Sequence, residues 1–223
     1  MGQIKMKDQY FDKTNISQQT KKMIKKLKKS HGSRIGYEIN SKTAMIVTDM
    51  QNYFLKKKSH AFVPSVKAVI PKIKKLCDLF SEKNMTVIYT RHTNNDSNSG
   101  QMSEWWRDVI EDETKESRIA DCFNYKDAIV VEKHQYDAFY GTNLKDILQE
   151  RGITQLIITG VLTHLCCEST ARAGFINGYK ILFPVNGTAT YNIKHHKSTL
   201  RNLSHGFAVP VTMEELIKKV KAI

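Results

Sequence analysis

Between residues 44 and 211, short apolar runs alternate with stretches whose apolar residues recur every three or four positions. The runs at 44–49, 85–90, 127–133, 155–159, 180–185 and 207–211 have the length and the Val/Ile content of strands. Between them, Val66, Ile70, Ile73, Cys77 and Phe80 share one helical face over 65–82. The same spacing predicts helices over 102–110, 144–150, 165–178 and 194–204. A last helix follows Thr212, where Glu215 completes a capping box. Residues 93–101, rich in Asn, Ser and Gly, read as a loop. Pro210 assigns the sixth strand to an edge, because proline cannot donate to a ladder. Strands in alternation with helices mean βαβ units, hence an α/β fold with a mostly parallel sheet of about six strands covered on both faces.

Ahead of this body, residues 17–30 form an amphipathic helix, with Ile16, Met23, Ile24 and Leu27 on one face and lysines on the other. Two glycines within 31–36 end it. The chain thus divides into a basic N-terminal extension, 1–40, and a domain spanning 41–223. The extension is expected to pack its apolar stripe on the body or on a neighbouring subunit.

Charge changes the picture only at this extension. The chain carries a net charge of +13, but residues 1–42 hold eleven Lys/Arg against three Asp/Glu. Such a Lys-rich, Arg-poor arm lacks the bidentate and stacking residues that read nucleic acid, so nucleic acid is not the expected partner. A non-catalytic binding module built on the arm is the weaker alternative. With 40% hydrophobic and 26% charged residues, the composition is that of a soluble globular chain. No apolar run has a membrane span's length, and no signal peptide is legible, so a cytoplasmic location is expected. Cysteines 77, 122, 166 and 167 show no C-x-x-C pairing, which argues against a zinc ribbon. Cys77 belongs to an apolar stripe and reads as core.

The candidate chemistry lies at strand ends, where parallel sheets bind ligands. Asp49, Lys133 and Cys166 occupy three such ends. Around Cys166 the chain reads as a buried strand, a sharp turn at Gly160 and a helix opening near Thr163 and Leu165. A thiol in the first helical turn meets unpaired N–H groups and the positive end of the dipole, which favour thiolate. Asp49 could take the thiol proton, Lys133 could hold the carboxylate and favour negative charge on sulfur, and the backbone N–H groups of Leu162 and Cys166 could form an oxyanion hole. His164 diverges from Cys166 on the helix and is not the expected base. Cys167 should face the core. Gln51, Phe54, Trp105 and Tyr136 are candidates for substrate contact, with Trp106 and Phe139 as further aromatic neighbours.

Three segments carry a resemblance: 48–54 (Thr-Asp-Met-Gln-Asn-Tyr-Phe), 130–139 (Val-Val-Glu-Lys-His-Gln-Tyr-Asp-Ala-Phe) and 159–171 (Thr-Gly-Val-Leu-Thr-His-Leu-Cys-Cys-Glu-Ser-Thr-Ala). Over residues 41–215 the chain resembles the isochorismatase-like cysteine hydrolases, a group that includes nicotinamidases, N-carbamoylsarcosine amidohydrolases and isochorismatases. The resemblance implies a three-layer α/β/α sandwich and a catalytic triad of Asp49, Lys133 and Cys166. It also implies a cis peptide between Val161 and Leu162 and a homodimer or homotetramer. The function it implies is hydrolysis of a C–N bond in a small amide or ureide through a Cys166 thioester. The alternative is cleavage of a vinyl ether led by Asp49. Nicotinamidases of this family bind a metal through Asp-x-His and a further His. The corresponding region here offers His60 and His92 without an Asp-x-His, so neither a metal nor another cofactor is expected. Amidases commonly carry an acid where this chain has His164, and isochorismatases often have Gly where it has Cys166, so features of both branches are present.

Overall fold

The computed structural model describes residues 7–31, 36–125 and 128–223. The elements run α1 (Ile16–His31), β1 (Thr43–Thr48), α2 (Asn52–Leu55), α3 (Val66–Glu82), β2 (Val87–His92), α4 (Met102–Trp105), β3 (Ile129–Lys133), α5 (Leu144–Glu150) and β4 (Gln155–Val161). A π-helical turn, Thr163–Cys167, leads into α6 (Glu168–Ile176), followed by β5 (Lys180–Pro184), β6 (Thr188–Ala189), α7 (Ile193–Gly206), β7 (Ala208–Val211) and α8 (Met213–Lys221). The sheet order is β3-β2-β1-β4-β5-β7, all neighbours parallel, with β6 pairing onto the end of β4. The short β6 brings the strand count to seven.

The central strands β1 and β4 are buried along their whole length, as expected of a parallel sheet packed on both faces. Their side chains (Met45, Val47, Leu156 and Ile158 among them) form the core with Ile73, Leu76 and Phe80 of α3 and Leu216 and Val220 of α8. Thr212 caps α8 reciprocally with Glu215. Pro210 pairs with Phe183 on the edge strand β7. Met23 and Leu27 of α1 are buried and Ile24 is half-buried, with α1 lying against α7 and β7. The described part of the extension therefore shares the core of the body. The glycine turn expected over 31–36 and the Asp127 end of the third predicted strand fall largely outside the described residues.

Three boundaries differ from the sequence reading, each for a reason tied to the sheet's C-terminal rim. Strand β2 runs on to His92, because Arg91 and His92 pair in register with Glu132 and Lys133. Gly160 is not a turn. It lies inside β4, opposite Thr48, with φ +105°, and a Cβ there would meet the Thr48 carbonyl oxygen at 2.1 Å. The helix expected over 102–110 stops after Trp105. Beyond it the Ile110 carbonyl accepts from Asn94 N at 2.8 Å, pulling the chain back to the end of β2.

Candidate active site

The rim at the C-terminal ends of β1, β2, β3 and β4 collects Asp49, His92, Lys133 and Cys166, all buried. Asp49 follows β1 in the left-handed region, φ 48°. For a non-glycine residue this costs on the order of 1–3 kcal/mol and persists only where neighbours enforce it. Here Asp49 N donates to Thr90 Oγ1 (3.1 Å), and the Thr90 hydroxyl donates back to Asp49 Oδ1 (2.5 Å). The other carboxylate oxygen, Oδ2, lies 2.9 Å from Lys133 Nζ.

Lys133 is completely buried at the end of β3. Besides Asp49, its Nζ contacts the Gln135 carbonyl (2.9 Å), His92 Nδ1 (3.1 Å) and Cys166 Sγ (3.5 Å). Burial alone would favour the neutral amine, but Asp49 and Cys166 more than offset it and hold the Lys133 pKa above its ordinary value. Burial is the largest single influence on the Asp49 carboxyl and would raise it, yet the ammonium and the neighbouring His92 and Cys166 together outweigh it and the pKa is lowered. The ion pair is therefore charged at neutral pH.

Cys166 occupies the π-helical turn, and here the structure corrects the sequence reading. The thiol is pushed up to about 12, first by burial and then by the Asp49 carboxylate, with Lys133 acting in the opposite direction. The resting state is a neutral thiol beside the carboxylate, within 4.8 Å of it, and its presence helps keep the Asp49 pKa low. Moving the proton from Sγ to Asp49 leaves the net charge of the buried trio unchanged, so the step calls for no further charge to be desolvated. Next to this turn, the Val161–Leu162 peptide is cis. Cys167 Sγ points back at the Thr159 carbonyl at 3.8 Å and is buried in the core.

His92 is a site residue whose role the sequence did not disclose. Burial and the neighbouring ammonium lower its pKa to about 4. The neutral ring accepts from Lys133 through Nδ1 and donates from Nε2 to Asn94 Oδ1 at 2.7 Å. It thus orients the lysine without adding charge. The signal was its register opposite Lys133 in the β2–β3 pair, visible only once β2 is extended by two polar residues.

One donor atom each from Asp49, His92 and Cys166 lies within 4.8 Å of the others, the size of a metal cluster. Lys133 Nζ already stands against all three, so the fixed cation of this cluster is the lysine. His60 faces Asp108 (Nδ1 to Oδ2, 3.4 Å) and Tyr53 (3.3 Å). The donor set does not fit a resident metal ion.

Above Cys166 lies a small cavity of about 70 Å³, walled mostly by apolar and aromatic groups: Phe54, Trp106, Tyr136, Leu162, Leu165 and Tyr191. Phe54 and Tyr136 are in the wall as expected. The Tyr136 hydroxyl accepts from Trp106 Nε1 at 2.7 Å, leaving its own proton free to donate. Two expected contacts are not there. Gln51 is completely buried and spends its amide on the chain: Nε2 donates to the carbonyls of His92 and Ser117, and Oε1 accepts from His92 N. Trp105 is 78% exposed, and Trp106 takes its place, since α4 ends there and turns the second indole inward. Phe139 stacks on Tyr179 instead, away from the cavity wall. Tyr191 and Asp108 come from loops with no motif to announce them. His164 is engaged with Thr190 Oγ1 (2.5 Å) and stacks on His195, away from the thiol.

Residues 43–215 match the isochorismatase domain, and the chain belongs to that family. It is 37% identical over 183 residues to nicotinamidase 3 of Arabidopsis thaliana, covering 79% of this chain and 88% of the relative. Among solved structures, a cysteine hydrolase from Pseudomonas syringae superposes with a TM-score of 0.80 at 24% identity, over 84% of this chain and 97% of the other. N-carbamoylsarcosine amidase from Thermoplasma acidophilum gives 0.68 at 22%, over 77% and 96%. These two likenesses establish the fold. The family and its relatives make this chain a hydrolase. Among the described residues no helix is long and apolar enough to cross a membrane.

Proposed function

We propose that the protein hydrolyses a small, planar carboxamide, of which nicotinamide is the first candidate, through a thioester on Cys166. The observation that carries this reading is the buried trio: a neutral thiol at the floor of an aromatic cavity, with a fixed ammonium in contact with both the sulfur and an ionised carboxylate. The 37% identity to a plant nicotinamidase supports the choice of amide.

Asp49 accepts the Sγ proton as sulfur forms a bond to the amide carbon. Lys133 balances the negative charge as it passes between carboxylate and sulfur. The oxyanion is held by the N–H groups of Leu162 and Cys166. Asp49 then returns the proton to nitrogen, the C–N bond breaks and ammonia leaves. Water, deprotonated by Asp49, attacks the thioester. The S–C bond breaks, the thiol recovers its proton and the carboxylic acid departs. The lowered Asp49 pKa suits a base and disfavours the vinyl ether alternative, which needs this carboxyl protonated at the start.

The test is ammonia release from a panel of nicotinamide, other aryl amides, ureides and N-carbamoyl amino acids, run beside isochorismate consumption. Turnover of aryl amides at rates well above the buffer blank is expected. Consumption of isochorismate alone would overturn the reading.

A further inference from the structure

Residues 7–11 lie outside the matched family domain, which begins at residue 43, yet they are fastened to the walls of the cavity. Lys7 Nζ donates to the carbonyls of His60 and Phe62, the latter at 3.2 Å, and stands 4.2 Å from the centroid of the Tyr191 ring. Asp8 N donates to the Tyr191 carbonyl (2.8 Å), and the Asp8 carboxylate accepts from Ile193 N at the start of α7 (3.1 Å). The Tyr10 hydroxyl accepts from Thr190 N (2.9 Å), and Phe11 N donates to Ser65 Oγ (3.0 Å). The Tyr10 and Phe11 rings pack on His196, which is itself hydrogen-bonded to Thr163, the residue after Leu162. His60, Ala61, Tyr191 and Leu162 all line the cavity.

We propose that residues 7–11 are a strap completing the active site, with Lys7 as a positioning residue that sets the spacing between the His60 wall and the Tyr191 wall. The geometry is economical: a single ammonium satisfies two carbonyls of one loop and the π-face of a tyrosine on the other. A cation over an aromatic face is attracted by the negative face of the ring, which favours the rotamer that keeps Tyr191 under the ammonium. Without it, Tyr191 swings outward and the cavity admits larger molecules. The strap therefore restricts substrates to small planar amides. This extends the amide-hydrolase reading and rests on Cys166 lying at the cavity floor.

The test uses the full chain and a readout independent of turnover. Alkylation of Cys166 by iodoacetamide and by N-phenylmaleimide is followed by peptide mass spectrometry, which separates it from the exposed Cys122. In Lys7→Met the phenylmaleimide rate should rise at least about fivefold relative to the iodoacetamide rate. In Lys7→Arg, which keeps the donors and the cation–π contact, the ratio should stay within about twofold of wild type. For an amide that is turned over, KM should rise in Lys7→Met while kcat holds. An unchanged ratio in Lys7→Met, or an equal change in Lys7→Arg, would overturn the proposal. Failure of every amide in the panel would refute the substrate reading alone, since the alkylation ratio decides on the strap without it.

Discussion

The Lys133 ammonium lies 2.9 Å from Asp49 Oδ2, and neither side chain is reached by solvent. A buried pair of this kind is weak evidence for stability in itself, because desolvation of both ions offsets their attraction. Removing one partner is another matter, since it strands a charge. Lys133→Ala should lose about 3–5 kcal/mol of stability. A double variant, Lys133→Met with Asp49→Asn, should recover much of that loss. Denaturant midpoints of the three proteins check this. A single variant as stable as wild type would mean the carboxylate is not ionised.

Asp49 is one of the groups that raise the Cys166 pKa. Asp49→Asn should therefore shift the alkylation midpoint of Cys166 downward from about 12, while amide turnover falls by ~10²–10⁴ for want of a proton carrier. A more reactive thiol in a less active enzyme is an unusual combination, and pH-dependent alkylation of the variant reads it directly. A midpoint that stays in place would show that the carboxylate does not face the sulfur.

Three histidines, His92 and His196 in the interior and the half-buried His164, make the fold acid-sensitive. Burial is the leading cause in each case, and it lowers His92 and His164 to about 4 and His196 to about 3. The unfolded chain takes up these protons near pH 6.5, the folded one only near 3 or 4. Stability is thus intact above about pH 6.5 and falls as pH drops toward 4, by about 1.4 kcal/mol per pH unit for each histidine. His196→Leu should flatten the slope by one histidine's share in a series of denaturant melts, whatever its effect on absolute stability.

A strong chelator should leave turnover unchanged, because Lys133 supplies the fixed positive charge at the cluster of Asp49, His92 and Cys166. A reversible loss restored by zinc would show that an ion displaces the lysine.

Much of this arrangement was legible in the chain, and the misses share a cause. The apolar cores of the strands announce themselves by composition, so β1 and β5 begin and end within two residues of the expected bounds. The rim does not. Arg91 and His92 break the apolar run of β2, and Gly160 reads as a turn although it continues β4 where the Thr48 backbone leaves no room for a side chain. The site lies where strands become polar, and there the pattern fails. Asp49, Lys133 and Cys166 could be picked out because each closes an apolar run or opens a helix. Tyr191, Asp108 and the strap from Lys7 to Phe11 are brought in by loops, and nothing local marks them. The state of Cys166 was misjudged for the same reason. A helix start is visible in sequence, whereas burial and a carboxylate 117 positions away are not.

The central claim, a covalent intermediate on Cys166, is tested most directly by rapid acid quench during amide turnover, followed by peptide mapping, with Cys166→Ala and Cys77→Ala run alongside. The acyl group should appear on the peptide carrying Cys166 and Cys167, with fragmentation placing it on Cys166. Turnover should vanish in Cys166→Ala and stay within a few-fold in Cys77→Ala. Substantial amide hydrolysis in Cys166→Ala, or an acyl group located on Cys167, would contradict the account.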